Sequence, residues 1–196
     1  MGSGGGDPWM ITVVSGLPRS GTSLMMQMLR AGGLAVLSDD LRQPDADNPR
    51  GYLEWEPAKL LPQEPARIAD AEGKAVKVVS ALLVALPEGH DYRILFLRRP
   101  LDEVLASQGA MLRRRGESGP VLDAAAMVRA FDAHLKQVVA AMQRRRSVAV
   151  RDLDYHALLR DPLGQATDIQ AFRGLPLAVE AMAAAVDPAL YRQRIG

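Results

Sequence analysis

The 196-residue sequence contains no cysteine. That excludes disulfides, thiolate metal sites and cysteine nucleophiles together, and it is compatible with a reducing compartment. Its three histidines, His90, His134 and His156, are scattered and show no H-x-x-x-H spacing, so no metal site is expected. Formal net charge is only +1, too little to create a field that would attract nucleic acid or a membrane surface. No apolar run approaches the length of a membrane span. The opening "MGSGGGDPW" lacks the basic and then apolar order of a secretory leader. It also lacks Ser or Thr at position 6 for myristoylation. Residues 1–9 therefore read as a flexible lead-in, residues 10–196 as a single domain large enough to bury a core, and the compartment as cytoplasmic.

What is present is an alternation of short apolar runs and amphipathic stretches. Met10 to Ser15 is a β-branched run ending in Gly16, which predicts a buried strand. From Thr22 the period changes: Leu24, Met25, Met28 and Leu29 share a helical face, and Gly32 and Gly33 stop it. The clustered Met25, Met26 and Met28 read as core filler. Further strands are expected at Ala35 to Leu37, Ala75 to Val79, Arg93 to Leu97 and Ser147 to Val150. Further helices are expected at Lys59 to Ala71, after Pro100, over Asp123 to Arg146, and from Tyr155 onward. Pro100 suits a first helical position, with Asp102 and Glu103 behind it for the positive helix start. The runs Arg113 to Arg115 and Arg144 to Arg146 fall at helix ends, which attract cations. Neither is interleaved with aromatics, so no nucleic-acid partner is expected. Strands alternating with helices predict an α/β fold, a three-layer sandwich around a central parallel sheet of about five strands.

The stretch "ITVVSGLPRSGTSLMMQML" carries the chemistry. Gly16 and Gly21 bracket a turn between the first strand and the first helix. Glycine there permits backbone conformations closed to other residues and lets the chain approach a ligand. Gly21, Thr22 and Ser23 then open the helix, where backbone N–H groups point outward and the dipole favours an anion. Arg19 adds a planar cationic donor suited to phosphate. In the ATP and GTP versions of such a loop a lysine reaches the β- and γ-phosphates. Here Thr22 stands at that position, and Asp152 after "VAVR" is the one candidate for a magnesium-holding acid. Triphosphate hydrolysis is disfavoured accordingly.

"GLPRSGTSL" resembles the 5′-phosphosulfate loop of the sulfotransferase family, whose members use 3′-phosphoadenosine 5′-phosphosulfate (PAPS). The likeness is to the tyrosylprotein-type and bacterial branch. "LFLRRPLDEVLASQ" is similar to the family's 3′-phosphate segment. "DNPRGYLEWEP" and "YHALLRDPLGQATDIQAFRGLP" are similar to stretches of bacterial members. The resemblance implies a P-loop fold, PAPS as donor and PAP as product, with no metal required. It implies that Arg19, Ser20, Gly21, Thr22 and Ser23 hold the 5′-phosphosulfate, and that Ser107 with Arg98 or Arg99 holds the 3′-phosphate. Ser107 lies nine residues after Arg98 and eight after Arg99, so either arginine can serve. Arg19 would also neutralise charge developing on the leaving phosphate oxygen.

An acceptor hydroxyl or amine must lose a proton, so a positioned acid is expected. Asp39 and Asp40 fall where the resemblance places a catalytic acid. Glu54 and Glu56 are rivals from the same stretch, residues 38–57, a polar loop long enough to be functional. Its Tyr52 and Trp55 favour an ordered, contact-making loop. Three other readings stay open: a P-loop kinase or nucleotide hydrolase, a PAP-binding homologue without activity, and an interaction protein that binds no nucleotide. The acceptor is not written in the sequence, nor is the oligomeric state.

Overall fold

A computed structural model describes residues 9–39, 41–45, 48–114, 116, 123–187 and 189. Asp40, Arg115, the closing stretch "YRQRIG" and all but the last residue of the glycine-rich opening lie outside the described residues. Four parallel strands form the sheet: β1 (Ile11–Gly16), β2 (Ala75–Lys77), β3 (Tyr92–Arg98) and β4 (Val148–Asp154), in the order β2-β1-β3-β4. The helices are α1 (Thr22–Ala31), α2 (Leu101–Arg114), α3 (Ala124–Gln143), α4 (Tyr155–Arg160), α5 (Pro162–Arg173) and α6 (Val179–Ala184).

Both faces of the sheet are covered, as continuous apolar parallel strands require. Ile11, Val13, Ile94 and Phe96 pack on one side with Leu135, Val138 and Met142 of α3. Val14, Leu95 and Leu97 pack on the other with Met25, Met28 and Leu29 of α1, and with Leu158, Ile169 and Met182 of the C-terminal helices. The alternation along β3 assigns successive residues to opposite cores. All three clustered methionines of α1 are fully buried, where an unbranched thioether fills irregular space.

Two elements differ from the sequence expectation. The fifth strand, Ala35 to Leu37, contracts to one bridge between Val36 and Ala75. Gly32 and Gly33 have just ended α1, and the polar loop begins at Ser38, so no length remains for a ladder. Lys59 to Ala71 is not one helix but two 3-10 segments, Glu56–Leu60 and Pro65–Ala71. Pro62 and Pro65 each lack the backbone donor that an α-helix interior requires.

The strand order places the functional end. From β1 the chain turns to β2 on one side; from β3 it turns to β4 on the other. The carboxyl ends of β1 and β3 therefore flank a topological switch point, where open α/β sheets bind ligands. The Gly16–Ser23 turn leaves β1 there, and Arg99 follows β3 at the same place.

Candidate functional site

Gly16 has φ 149° and lies against the neighbouring strand. A Cβ there would fall 2.5 Å from Ser20 Oγ and 2.8 Å from the Leu97 carbonyl oxygen. Gly21 has φ 101°, and its Cβ would fall 2.4 Å from Cδ2 of Tyr155. Both glycines are thus fixed by close approach as well as by backbone conformation. Between them Arg19 adopts φ 72°, a left-handed conformation that costs about 1–3 kcal/mol in a residue with a side chain. The Ser20 hydroxyl closes the turn by donating to the Leu17 carbonyl at 2.7 Å. No side chain caps the start of α1, so its first amides face the space in front of the turn.

That space is a cleft of about 440 Å³, within the range that holds a drug-sized ligand. Arg19, Gly21, Thr22 and Ser23 line it, as do Arg99 and Ser107 from the β3–α2 segment. Arg19 Nε donates to Ser107 Oγ at 3.0 Å. Burial is the main force pulling the Arg19 pKa down, and the nearby cations Arg114, Arg99 and Arg42 push the same way. A group held so would be relieved by a bound anion.

The two adjacent arginines part ways. Arg98 donates to Asp152 at 2.6 Å, with its guanidinium over the Phe96 ring. Neither Arg98 nor Asp152 is among the residues lining the cleft. Arg99 faces inward: its Nε donates to Glu103 at 2.8 Å, its Nη1 donates to the Arg19 carbonyl at 3.1 Å, and its guanidinium lies over the Tyr155 ring. Ser20 is 2% exposed and turned into the protein. Of the residues expected to hold phosphate, Arg19, Gly21, Thr22, Ser23, Arg99 and Ser107 meet in one place, and Ser20 and Arg98 do not reach it.

The acids also separate. Asp39 accepts from the amides of Leu41 and Glu56, at 3.2 and 2.6 Å. It caps the 3-10 segment that follows and does not line the cleft. Glu56 pairs with Lys59 at 2.6 Å. Glu54 does line the cleft, where it accepts from Arg42 at 3.0 Å; Arg42 in turn stacks on the Tyr52 ring, 3.3 Å from its centroid. Tyr52 and Trp55 are both buried and both border the cleft.

Lys77 escaped the sequence reading. It ends β2 in the apolar run "AVKVV", and a lone lysine among β-branched residues was its only signal. Strand alternation turns it into the cleft, where its ammonium donates to Ser23 Oγ at 2.9 Å and to the Tyr52 carbonyl. Burial pushes its pKa down to about 8, against a smaller opposing pull from Glu54. A lysine thus lies beside the turn, carried by the neighbouring strand. Of the histidines, His90 pairs with Glu72 and His134 meets Ser80 Oγ. His156 Nε2 lies 3.1 Å from the buried Glu103 carboxylate.

The chain has the sulfotransferase fold. It superposes on sulfotransferase STF1 of Mycobacterium tuberculosis H37Rv with a TM-score of 0.59, at 20% identity, over 91% of this chain and 71% of that one. Sulfotransferase STF9 of Mycobacterium avium gives 0.56 at 14% identity, over 91% and 67%. The sulfotransferase domain of the olefin synthase from Synechococcus PCC 7002 gives 0.53 at 16% identity, over 93% and 78%. No family model and no curated protein matches the sequence. No helix among the described residues is long and apolar enough to cross a membrane.

Proposed function

We propose that the cleft binds PAPS and that the protein transfers its sulfuryl group to a hydroxyl or amine of an acceptor. The observation that carries this reading is the contact between Arg19 Nε and Ser107 Oγ. A ligand with phosphates on both sides of a ribose needs two anion sites close together. Here two strand-to-helix turns far apart in sequence converge on one cleft with arginine in each. The fold shared with sulfotransferases supports the same reading.

In this reading the α1 amides, Arg19 and Lys77 hold the 5′-phosphosulfate, and Arg99 with Ser107 holds the 3′-phosphate. The acceptor oxygen or nitrogen attacks sulfur and a new S–O or S–N bond forms. The S–O bond to the 5′-phosphate breaks, and its electron pair stays on the phosphate oxygen of PAP. Arg19 and Lys77 stabilise that growing charge; sulfuryl transfer, like phosphoryl transfer, leaves the protein chiefly positioning and charge to supply. The acceptor's proton goes to Glu54, the acid that borders the cleft among the described residues of its loop. Arg42 orients that carboxylate.

One observation favours a second reading. Lys77 gives the turn a lysine after all, as a triphosphate site requires. Against it, Asp152 is engaged by Arg98 away from the cleft. Calorimetric titration with PAP and with ATP plus magnesium separates the two. The sulfotransferase reading expects PAP to bind and ATP with magnesium to bind far more weakly. The reverse order would establish a nucleotide kinase or hydrolase.

A further inference from the structure

Glu103 is the buried carboxylate among the described residues, 2% exposed. An acid beside a phosphate site should weaken it. This one is engaged on two sides: Arg99 Nε donates to it at 2.8 Å, and His156 Nε2 lies 3.1 Å away. Arg99 continues the chain of contacts by donating to the carbonyl of Arg19, the residue with the left-handed backbone. Glu103 therefore fixes the orientation of Arg99, and Arg99 braces the turn that carries Arg19. At the other end the imidazole of His156 is 27% exposed. A path runs from a ring in contact with water, through a buried carboxylate, to the anion cleft.

The charge balance along that path depends on one proton. With His156 neutral, the Glu103 charge offsets that of Arg99. With His156 protonated, Glu103 is shared between two cations, and the group of charges behind Arg99 is more positive by one. The other charged and titratable groups nearby are Arg19 from the turn, Asp102 beside Glu103, Tyr155 with its ring centroid 6.1 Å from that of His156, and Asp154 and Arg160 at the ends of α4. Burial holds the Tyr155 hydroxyl above its usual range. Histidine is the side chain that ordinarily changes charge near neutrality.

We propose that Glu103 and His156 form a proton-linked positioning pair for Arg99, so that the cleft binds a doubly phosphorylated nucleotide more tightly when His156 is protonated. This rests on the reading of the cleft as a PAPS site. By reciprocity, the bound nucleotide favours the proton on His156.

The test is calorimetric titration of PAP into the full chain and its His156→Gln and Glu103→Gln variants, between about pH 5.5 and 8, in buffers of different ionisation enthalpy. PAP phosphates titrate in the same window, so the reading is the difference between native and variant. On descending that range the native protein is expected to gain about fivefold more affinity than His156→Gln, a coupling at the modest end of those known. It is also expected to take up a fraction of a proton that the variant does not. The His156 ring resonances, followed at about pH 6.5, are expected to move toward the protonated form on adding PAP. That readout needs no variant and stands even where Glu103→Gln fails to fold. A purely structural pair would lower stability in both variants and leave proton uptake alone. Equal pH slopes and equal proton uptake in native and His156→Gln, or His156 resonances unmoved by PAP, would overturn the proposal while leaving the PAPS reading intact. Failure of native protein to bind PAP at any pH would overturn both.

Discussion

Two walls face each other across the cleft, and they are built on different principles. One consists of the turns β1–α1 and β3–α2. Its shape is set by backbone: Gly16 against Leu97, Gly21 against Tyr155, an uncapped helix start, and an arginine directly after a strand. The other is residues 38–57, shaped by side chains reaching over long sequence distances. Ser38 Oγ donates to the Glu54 carbonyl, Gln27 donates to the Gly51 carbonyl, and Lys77 donates to the Tyr52 carbonyl. Arg50 ties the loop to the Ala185 carbonyl and to Asp187. The first wall encodes an anion site in a few consecutive residues. The second is held by contacts from α1, β2 and residues 185–187, so its form rests on residues far away in sequence.

Substitutions on the two walls test this division. The largest effect is expected from Glu54→Gln. A general base contributes about 10²–10⁴-fold, so PAPS turnover across a panel of hydroxyl and amine acceptors should fall by that order while PAP affinity holds. A parallel loss of PAP binding would make Glu54 part of the donor wall. Next is Gly21→Val. A side chain forced into the Tyr155 ring at a positive φ is expected to cost about 3 kcal/mol or more of stability in urea denaturation; a loss under 1 kcal/mol would mean the turn is more compliant than its contacts imply. Arg19→Ala is expected to weaken PAP by about 1.5–3 kcal/mol, the worth of a charge-assisted bond, with little change in thermal midpoint. Asp39→Ala removes both acceptors of that cap and should cost about 1 kcal/mol of stability. A turnover loss as deep as that of Glu54→Gln would return the proton transfer to Asp39.

A separate effect concerns pH. The Lys77 ammonium has a pKa of about 8 in the fold and an ordinary value of 10.5 when unfolded. Between those values the unfolded chain binds more protons, so stability should rise with pH from about 8 toward 10.5. Below 8 both states are protonated and this group adds no slope. Denaturation of native protein and Lys77→Met across that range checks it: the rise should vanish in the variant.

The same division explains what could be read in advance. The strand–turn–helix around Gly16 to Ser23 is local, as is Pro100 at the start of α2, and both were legible. The parallel sheet followed from alternation of element types. The fate of Ala35 to Leu37 was not legible, because one bridge or a ladder depends on how much chain remains between Gly33 and Ser38. Whether Arg98 or Arg99 faces the cleft depends on the pleat of β3 and on Asp152 waiting for the outward one. Lys77 was missed because a buried charge is recognised by its partners, and Ser23 lies 54 residues away; Glu103 was read only as a helix-start acid, because its contact with His156 spans 53 residues. Asp39 and Glu54 are alike in sequence and differ in the amides that happen to surround them.

Whether one cleft holds two phosphates on opposite sides of a ribose is decided by comparing the affinities of PAP and adenosine 5′-monophosphate for native protein and for Ser107→Ala. The account predicts that the 3′-phosphate strengthens native binding at least about tenfold, roughly the 1.4 kcal/mol of a single good polar contact, and that Ser107→Ala loses much of that gain. Equal affinities for the two nucleotides in native protein would contradict it.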